Sequence, residues 1–165
     1  MARKRLDSAA FGFASDCFVC SPTNAHGLGV AFFHDDETGE VVADFSLGGA
    51  FSGAPSYGHG GIVVSILDEA MAWAAIAQWG RFAVTRTLEA SFLRPVRIGR
   101  PYRARAAVNT PAEAPGTLGL RATIEDRRGR TFAEATAQFV ALSAAGARRA
   151  LGVAPAGPDA GFVRG

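Results

Sequence analysis

HGGIVVSILDEAMAWAAIAQWG (residues 59–80) decides the fold. From Ile62 to about Trp79, the apolar residues Ile62, Val63, Ile66, Leu67, Ala70, Ala74 and Ala77 recur at helical spacing, i, i+3 and i+4. Gly80 follows the last of them, where a helix stops. Most other positions, Val64, Met71, Ala72, Trp73, Ala75 and Ile76, are also apolar or small. A helix apolar most of the way round offers no face to water, so other structure must enclose it.

Working outward, the period changes from helical to alternating on both sides. Upstream, residues 28–34 and 40–47 read as two strands joined by the polar turn Asp35-Asp36-Glu37-Thr38-Gly39. Residues 48–61, rich in Gly, Pro and Ser, read as an irregular loop. Downstream, residues 84–93 alternate as a half-buried antiparallel strand, with Arg86 breaking the pattern. Residues 102–108 and 118–125 follow as strands, and 131–142 completes a hairpin across the turn Asp126-Arg127-Arg128-Gly129-Arg130. This order predicts an α+β fold in which an antiparallel sheet wraps one long central helix. Residues 1–16 read as an N-terminal extension, 17–142 as the folded domain, and 143–165 as a flexible tail that begins as a short helix.

The 165 residues suit a single core, and 48% apolar against 19% charged residues, with 12 Phe, excludes a disordered or collagen-like chain. No apolar stretch of about 20 residues is free of charge, since Asp68 and Glu69 interrupt the longest. No membrane span or signal peptide is expected, and a cytoplasmic location follows. The net charge of +2 hides an asymmetry: residues 1–80 carry 3 basic and 9 acidic side chains, residues 81–165 carry 14 and 6. A basic half can meet an anionic partner or neutralise the acidic half.

Chemistry concentrates on the central helix. Asp68 lies at the flank of its apolar stripe and is expected to be partly buried; desolvation raises a carboxyl pKa and tunes it for general-base work, while pairing with an arginine would serve structure alone. Glu69 points about 100° away and reads as a solvated or paired neighbour. His59-Gly60-Gly61 opens the helix, where unpaired amides and the positive end of the dipole can hold an oxyanion. Along one helix these amides and Asp68 stand about 13 Å apart, so they could meet only across two helices packed antiparallel in a dimer. Cys17 and Cys20 form one C-x-x-C without a second cysteine pair, and read as structural rather than as a zinc or redox site.

Together, Phe51-x-Gly53-x-Pro55, His59-Gly60-Gly61-Ile62-Val63, Leu67-Asp68-Glu69-Ala70-Met71 and Ser91-Phe92-Leu93-Arg94-Pro95-Val96-x-x-Gly99 resemble the hotdog-fold acyl-CoA thioesterase superfamily, and within it the phenylacetyl-CoA and 4-hydroxybenzoyl-CoA thioesterase branch. The segment from Cys17 to Leu28 is similar to the N-terminal stretch of small thioesterase-like members. The resemblance implies a homodimer or dimer of dimers that hydrolyses acyl- or aryl-CoA thioesters at sites shared between subunits, with no metal or other cofactor, CoA being part of the substrate. By position, Gly60 would polarise the carbonyl through its N–H, Asp68 of the other chain would act as base or nucleophile, and Thr85 would position water. Ser52 stands where many members carry Asn or Gln; a hydroxyl reaches less far, which favours a second reading, a non-catalytic acyl-thioester or aromatic-ligand binding protein. A hydratase of the same fold lacks its Asp-x-x-x-x-His motif here.

His59 and Gly61 are further candidates for substrate contact, although His59 reads mainly as a loop histidine bonding nearby backbone. His26 and His34 suggest nothing specific. Arg94, Arg97, Arg100, Arg103 and Arg105 offer guanidinium forks for CoA phosphates or for the acidic half, with Arg94 and Arg97 the chosen substrate contacts. Nucleic acid is not an expected partner.

Overall fold

A computed structural model describes residues 3–110 and 116–152. The apolar helix forms as α1, Gly60–Ala74, two residues earlier than the periodicity suggests, because His59 caps it: the His59 Nδ1 accepts a hydrogen bond from the Gly61 N–H. Its last turn widens into a π turn over Ala75–Trp79 and closes on Gly80 at φ 73°. By length and composition Gly60–Trp79, with a mean hydropathy of 1.5, could cross a membrane. Here it is a core helix: Val63, Ile66, Leu67, Ala70, Met71 and Ala74 are buried by the rest of the chain.

The strands are β1 (Arg3–Leu6), β2 (Phe32–Asp35), β3 (Val41–Ser46), β4 (Ser52–Ala54), β5 (Tyr57–Gly58), β6 (Ala83–Phe92), β7 (Pro101–Thr110), β8 (Thr117–Glu125) and β9 (Thr131–Ala141); a second helix, α2, spans Ala144–Leu151. Seven strands make one antiparallel sheet in the order β1-β2-β3-β7-β8-β9-β6, curled around α1. This is the hotdog architecture. Alternation does the work in the interior strands: Ala104 and Ala106 of β7, Leu120, Ala122 and Ile124 of β8, and Ala133, Ala135, Ala137 and Phe139 of β9 all point into the core. Alanine recurs there because a helix lying close on a sheet leaves little depth beneath it.

Several expectations change. The first hairpin strand is only Phe32–Asp35, since residues 28–31 approach as an irregular segment. Residues 48–61 are not wholly irregular: β4 and β5 pair as a small hairpin ahead of α1. The extension over residues 1–16 supplies the edge strand β1 and the fully buried Phe11, which packs on Trp73 at 5.8 Å between ring centroids. Arg86 breaks the alternation because the β6–β9 register shifts between Thr85 and Thr87, a β-bulge. The half-burial expected of β6 is not met in the single chain. Val84 and Phe92 of β6, and Leu93 just after it, remain 49%, 55% and 49% exposed: β6 is the sheet edge, and among the described residues no further strand pairs with its outer side. The tail starts as helix α2, capped by the Ser143 Oγ; its expected flexible remainder, residues 153–165, lies outside the described residues.

Candidate functional site

Asp68 and Thr85 come together. The Thr85 Oγ1 donates to Asp68 Oδ1 at 2.6 Å, joining α1 to the bulged start of β6. Asp68 is half-buried, as its place at the flank of the apolar stripe suggested. One carboxylate oxygen is thus oriented by a hydroxyl, and no other side chain is seen donating to the second oxygen among the described residues.

Gly60 lies at the other end of the same helix. Ile62 and Val63 N–H groups return to the His59 carbonyl, and the Gly61 N–H goes to His59 Nδ1 at 2.9 Å. The Gly60 N–H has no acceptor among the described residues. His59 therefore spends its ring on the helix start, and Gly61, a predicted substrate contact, has its amide occupied. Beside Gly60 opens a cleft of about 270 Å³ whose walls include Val63, Phe92, Leu93, Arg94 and Val96. A Cβ at position 60 would meet the Phe92 ring at 3.4 Å, an ordinary contact distance, so Phe92 borders this mouth closely. A free amide at a helix N-terminus, facing a largely apolar cleft, can stabilise a carbonyl oxygen that gains charge.

Ser52 is turned away from such a role: its Oγ donates to the Gly49 carbonyl at 2.8 Å. The arginines divide. Arg103 pairs with both oxygens of Asp44, and Arg105 and Arg121 with Glu40, so part of the basic half neutralises the acidic half within the sheet. Arg94 donates to the Thr131 carbonyl, while Arg97 lies over the Tyr57 ring with its Cζ 5.5 Å from the centroid. Arg97 and Arg100 make no ion pair among the described residues, and with Arg127, Arg128 and Arg130 they line a hollow of about 410 Å³.

Glu69, expected to be solvated or paired, is half-buried against Cys17 and Cys20, and the three ligating atoms lie within 4.8 Å of one another. Burial raises the Glu69 carboxyl to about 7, and the charge of Cys17 pushes the same way. The Cys20 thiol bonding to Cys17 holds Cys17 below the usual thiol range, helped against burial by the Cys20 and Val19 amides; the same bond pushes Cys20 up. Sequence spacing could not find this neighbourhood, since 49 positions separate Cys20 from Glu69.

The pattern of the Thioesterase superfamily matches residues 57–110, which hold Gly60, Asp68 and Thr85. A thioesterase superfamily protein of known structure superposes with a TM-score of 0.68 at 22% identity, over 76% of this chain and 60% of that one, so the chain spans about three fifths of that protein's length. A phenylacetic acid degradation-related protein from Ralstonia eutropha is 27% identical over 73% of this chain and 90% of its own, with a TM-score of 0.61. A Streptococcus mutans protein bound to acetyl CoA is 17% identical over 64% of this chain and 82% of its own, with a TM-score of 0.58. No curated protein matches the chain. A long helix wrapped by an antiparallel sheet is the hotdog fold, and the stretch that matches the Thioesterase superfamily, residues 57–110, contains that helix and the strand after it.

Proposed function

We propose that the chain is an acyl-CoA thioesterase, hydrolysing an acyl- or aryl-CoA thioester to the free acid and CoA at a site completed by a second copy. The observation that carries the reading is the Thr85–Asp68 hydrogen bond, which holds a half-buried carboxylate in one orientation on the flank of α1. Gly60 and Asp68 stand on one helix too far apart to reach one thioester carbon. Two helices packed antiparallel bring the Gly60 amide of one chain to the Asp68 of another, and the uncovered apolar edge of β6 offers surface for that pairing.

In that site the Gly60 N–H and the helix dipole stabilise the oxyanion as water attacks the carbonyl carbon. Asp68 takes the proton from water while Thr85 fixes the carboxylate; the tetrahedral intermediate collapses with cleavage of the C–S bond, and the proton held by Asp68 passes to the leaving sulfur to give the CoA thiol and restore the base. The 270 Å³ cleft beside Gly60 takes the acyl group, and Arg97 with Arg100 offers forks to the phosphates. The step uses no metal or redox cofactor. The bound acetyl CoA of the Streptococcus mutans protein supports the ligand class.

The test is thiol release across aromatic, short-chain and long-chain acyl-CoAs. Turnover by the wild type, lost in folded Asp68→Asn, supports the reading; no turnover of any of them overturns it. Ser52 favours a second reading, an acyl-thioester binding protein without turnover, because its hydroxyl is already donated to Gly49. Calorimetric binding of an acyl-CoA that survives intact would select that reading.

A further inference from the structure

Cys17, Cys20 and Glu69 form a cluster that hydrolysis does not use. Their two sulfurs and a carboxylate oxygen all lie within 4.8 Å of one another. Tetrahedral zinc, with Zn–S of about 2.3 Å and Zn–O of about 2.0–2.2 Å, sets such ligands roughly 3.5–4 Å apart, so the side chains need little movement to close on an ion.

The turn is shaped for a bound thiolate. Val19 and Cys20 N–H groups both point at the Cys17 Sγ, at 3.3 and 3.4 Å, and the Ser21 N–H closes the turn on the Cys17 carbonyl at 3.2 Å. Amides aimed at a sulfur favour its anionic form and fix its direction, as the outer partners of metal ligands do. The turn is also anchored. Leu28 and Val30 N–H groups bond the Phe18 and Val19 carbonyls at 2.7 and 2.8 Å. A Cβ at Gly27 would lie 2.5 Å from the Phe18 oxygen, so only glycine allows this approach. The third donor, Glu69, comes from α1, so loop and helix would clamp the ion from two directions.

We propose that Cys17, Cys20 and Glu69 bind one Zn²⁺ ion per chain, with water in the fourth position, stapling the N-terminal turn to the middle of α1. Thiolates disfavour Mg²⁺ and Ca²⁺, and the mixed sulfur and oxygen set suits Zn²⁺ better than Cu⁺. The ion offsets the negative charge that three ligands place in a half-buried site. It leaves hydrolysis to the neighbouring Asp68 and acts on the rigidity of the helix flank that carries it. This inference stands whether or not the chain hydrolyses thioesters.

The full chain, reduced and stripped with a chelator, is titrated with Co²⁺ and then Zn²⁺. One equivalent of Co²⁺ is expected to produce thiolate-to-metal charge-transfer absorption in the near ultraviolet, which Zn²⁺ abolishes. Cys17→Ser and Cys20→Ser lose that band, and Glu69→Gln weakens Zn²⁺ binding by about 10-fold or more while keeping the sulfurs. Circular dichroism checks each variant; if the cysteine variants do not fold, the wild-type spectrum and Glu69→Gln decide. No charge-transfer band in the wild type, or an unchanged band in Cys20→Ser, overturns the proposal. So does a loss of both thiols to a Cys17–Cys20 disulfide in the reduced, metal-treated protein.

Discussion

The 2.6 Å hydrogen bond from Thr85 Oγ1 to Asp68 Oδ1 crosses from the first residues of an edge strand to the middle of the central helix. A threonine that donates to a carboxylate leaves the second carboxylate oxygen to accept from water, the arrangement a general base requires. Asp68→Asn keeps the shape and removes the basicity, so thiol release from acyl-CoA should fall by roughly 10²–10⁴-fold. Thr85→Val removes only one charged hydrogen bond, worth about 1.5 kcal/mol, and should cost about 10-fold. Steady-state kinetics on variants with unchanged circular dichroism decide it; an Asp68→Asn enzyme at full rate would sink the base assignment.

Gly60 allows the amide itself to be tested. It is the first helical residue, and His59 before it has φ −63° and ψ 133°, the extended conformation that a following proline requires. Gly60→Pro therefore deletes the N–H at little cost to the helix, and Gly60→Ala adds a Cβ but keeps the N–H. Both place a Cβ at ordinary contact distance from Phe92, so their difference isolates the amide. Gly60→Pro should turn over about 10²–10³-fold more slowly than Gly60→Ala. Equal rates would show that this amide does not hold the oxyanion.

The cap at the same helix start is a matter of stability. His59 Nδ1 accepts from the Gly61 N–H, so His59→Ala leaves that amide without its partner and should cost about 1 kcal/mol, a Tm fall of about 2–4 °C. His59→Asn, a good capping residue, should recover most of it. Thermal melts of the three proteins give the answer, and an unchanged His59→Ala would remove the capping role.

The fold was legible in residues 59–80 because a helix apolar on nearly every side admits few architectures, and the alternating strands that follow name its wrapping. Gly60 and Asp68 stood out from the local pattern of the helix and Thr85 from the resemblance alone, and the structure joins Thr85 to Asp68. What the sequence concealed depends on contacts across long spans. Phe11 and β1 could not be placed because the amphipathic signal of four residues is weak, and only pairing with β2 makes Arg3–Leu6 a strand. Helical angle alone left Glu69 as solvated or paired, with no partner named. That angle is measured against one stripe, and here the N-terminal turn with Cys17 and Cys20 covers the next face. For Arg103 and Arg105 the sequence left CoA phosphates and the acidic half equally open, and only the pairing of β3 with β7 sets them beside Asp44 and Glu40.

Asp35 gives the acid limb of stability a specific origin. Burial opposes its ionisation, but the Thr38 and Glu37 amides and the Arg3 guanidinium outweigh that and hold its carboxyl below the usual range. A folded pKa below the unfolded one means stability that is present at neutral pH and lost as pH falls from the unfolded value through the folded one. Urea unfolding should thus show the wild type weakening below about pH 4. Asp35→Asn should be less stable at pH 7 and lose less on acidification, with Asp44 and Asp126, held low by Arg103 and Arg130, supplying the remaining slope. A parallel loss in both proteins would assign the acid limb elsewhere.

The shared site makes a prediction that no single-chain site can imitate. If Gly60 of one chain serves Asp68 of another, a dimer of Asp68→Asn with Gly60→Pro contains one site carrying both defects and one carrying neither. Random assortment of equal amounts makes half the dimers mixed, so about a quarter of all sites are intact. Co-expressed or co-refolded variants, each nearly inactive alone, should therefore recover about a quarter of wild-type thiol release. Light scattering must first give at least twice the 17.1 kDa chain mass. Charge placed on the uncovered edge strand, as in Val84→Glu, should lower that mass and abolish the recovery, since Val84 lies 49% exposed where the second chain must seat. Activity in the mixture no higher than the mean of the two variants would place the whole reaction within one chain and remove the pairing of Gly60 with Asp68.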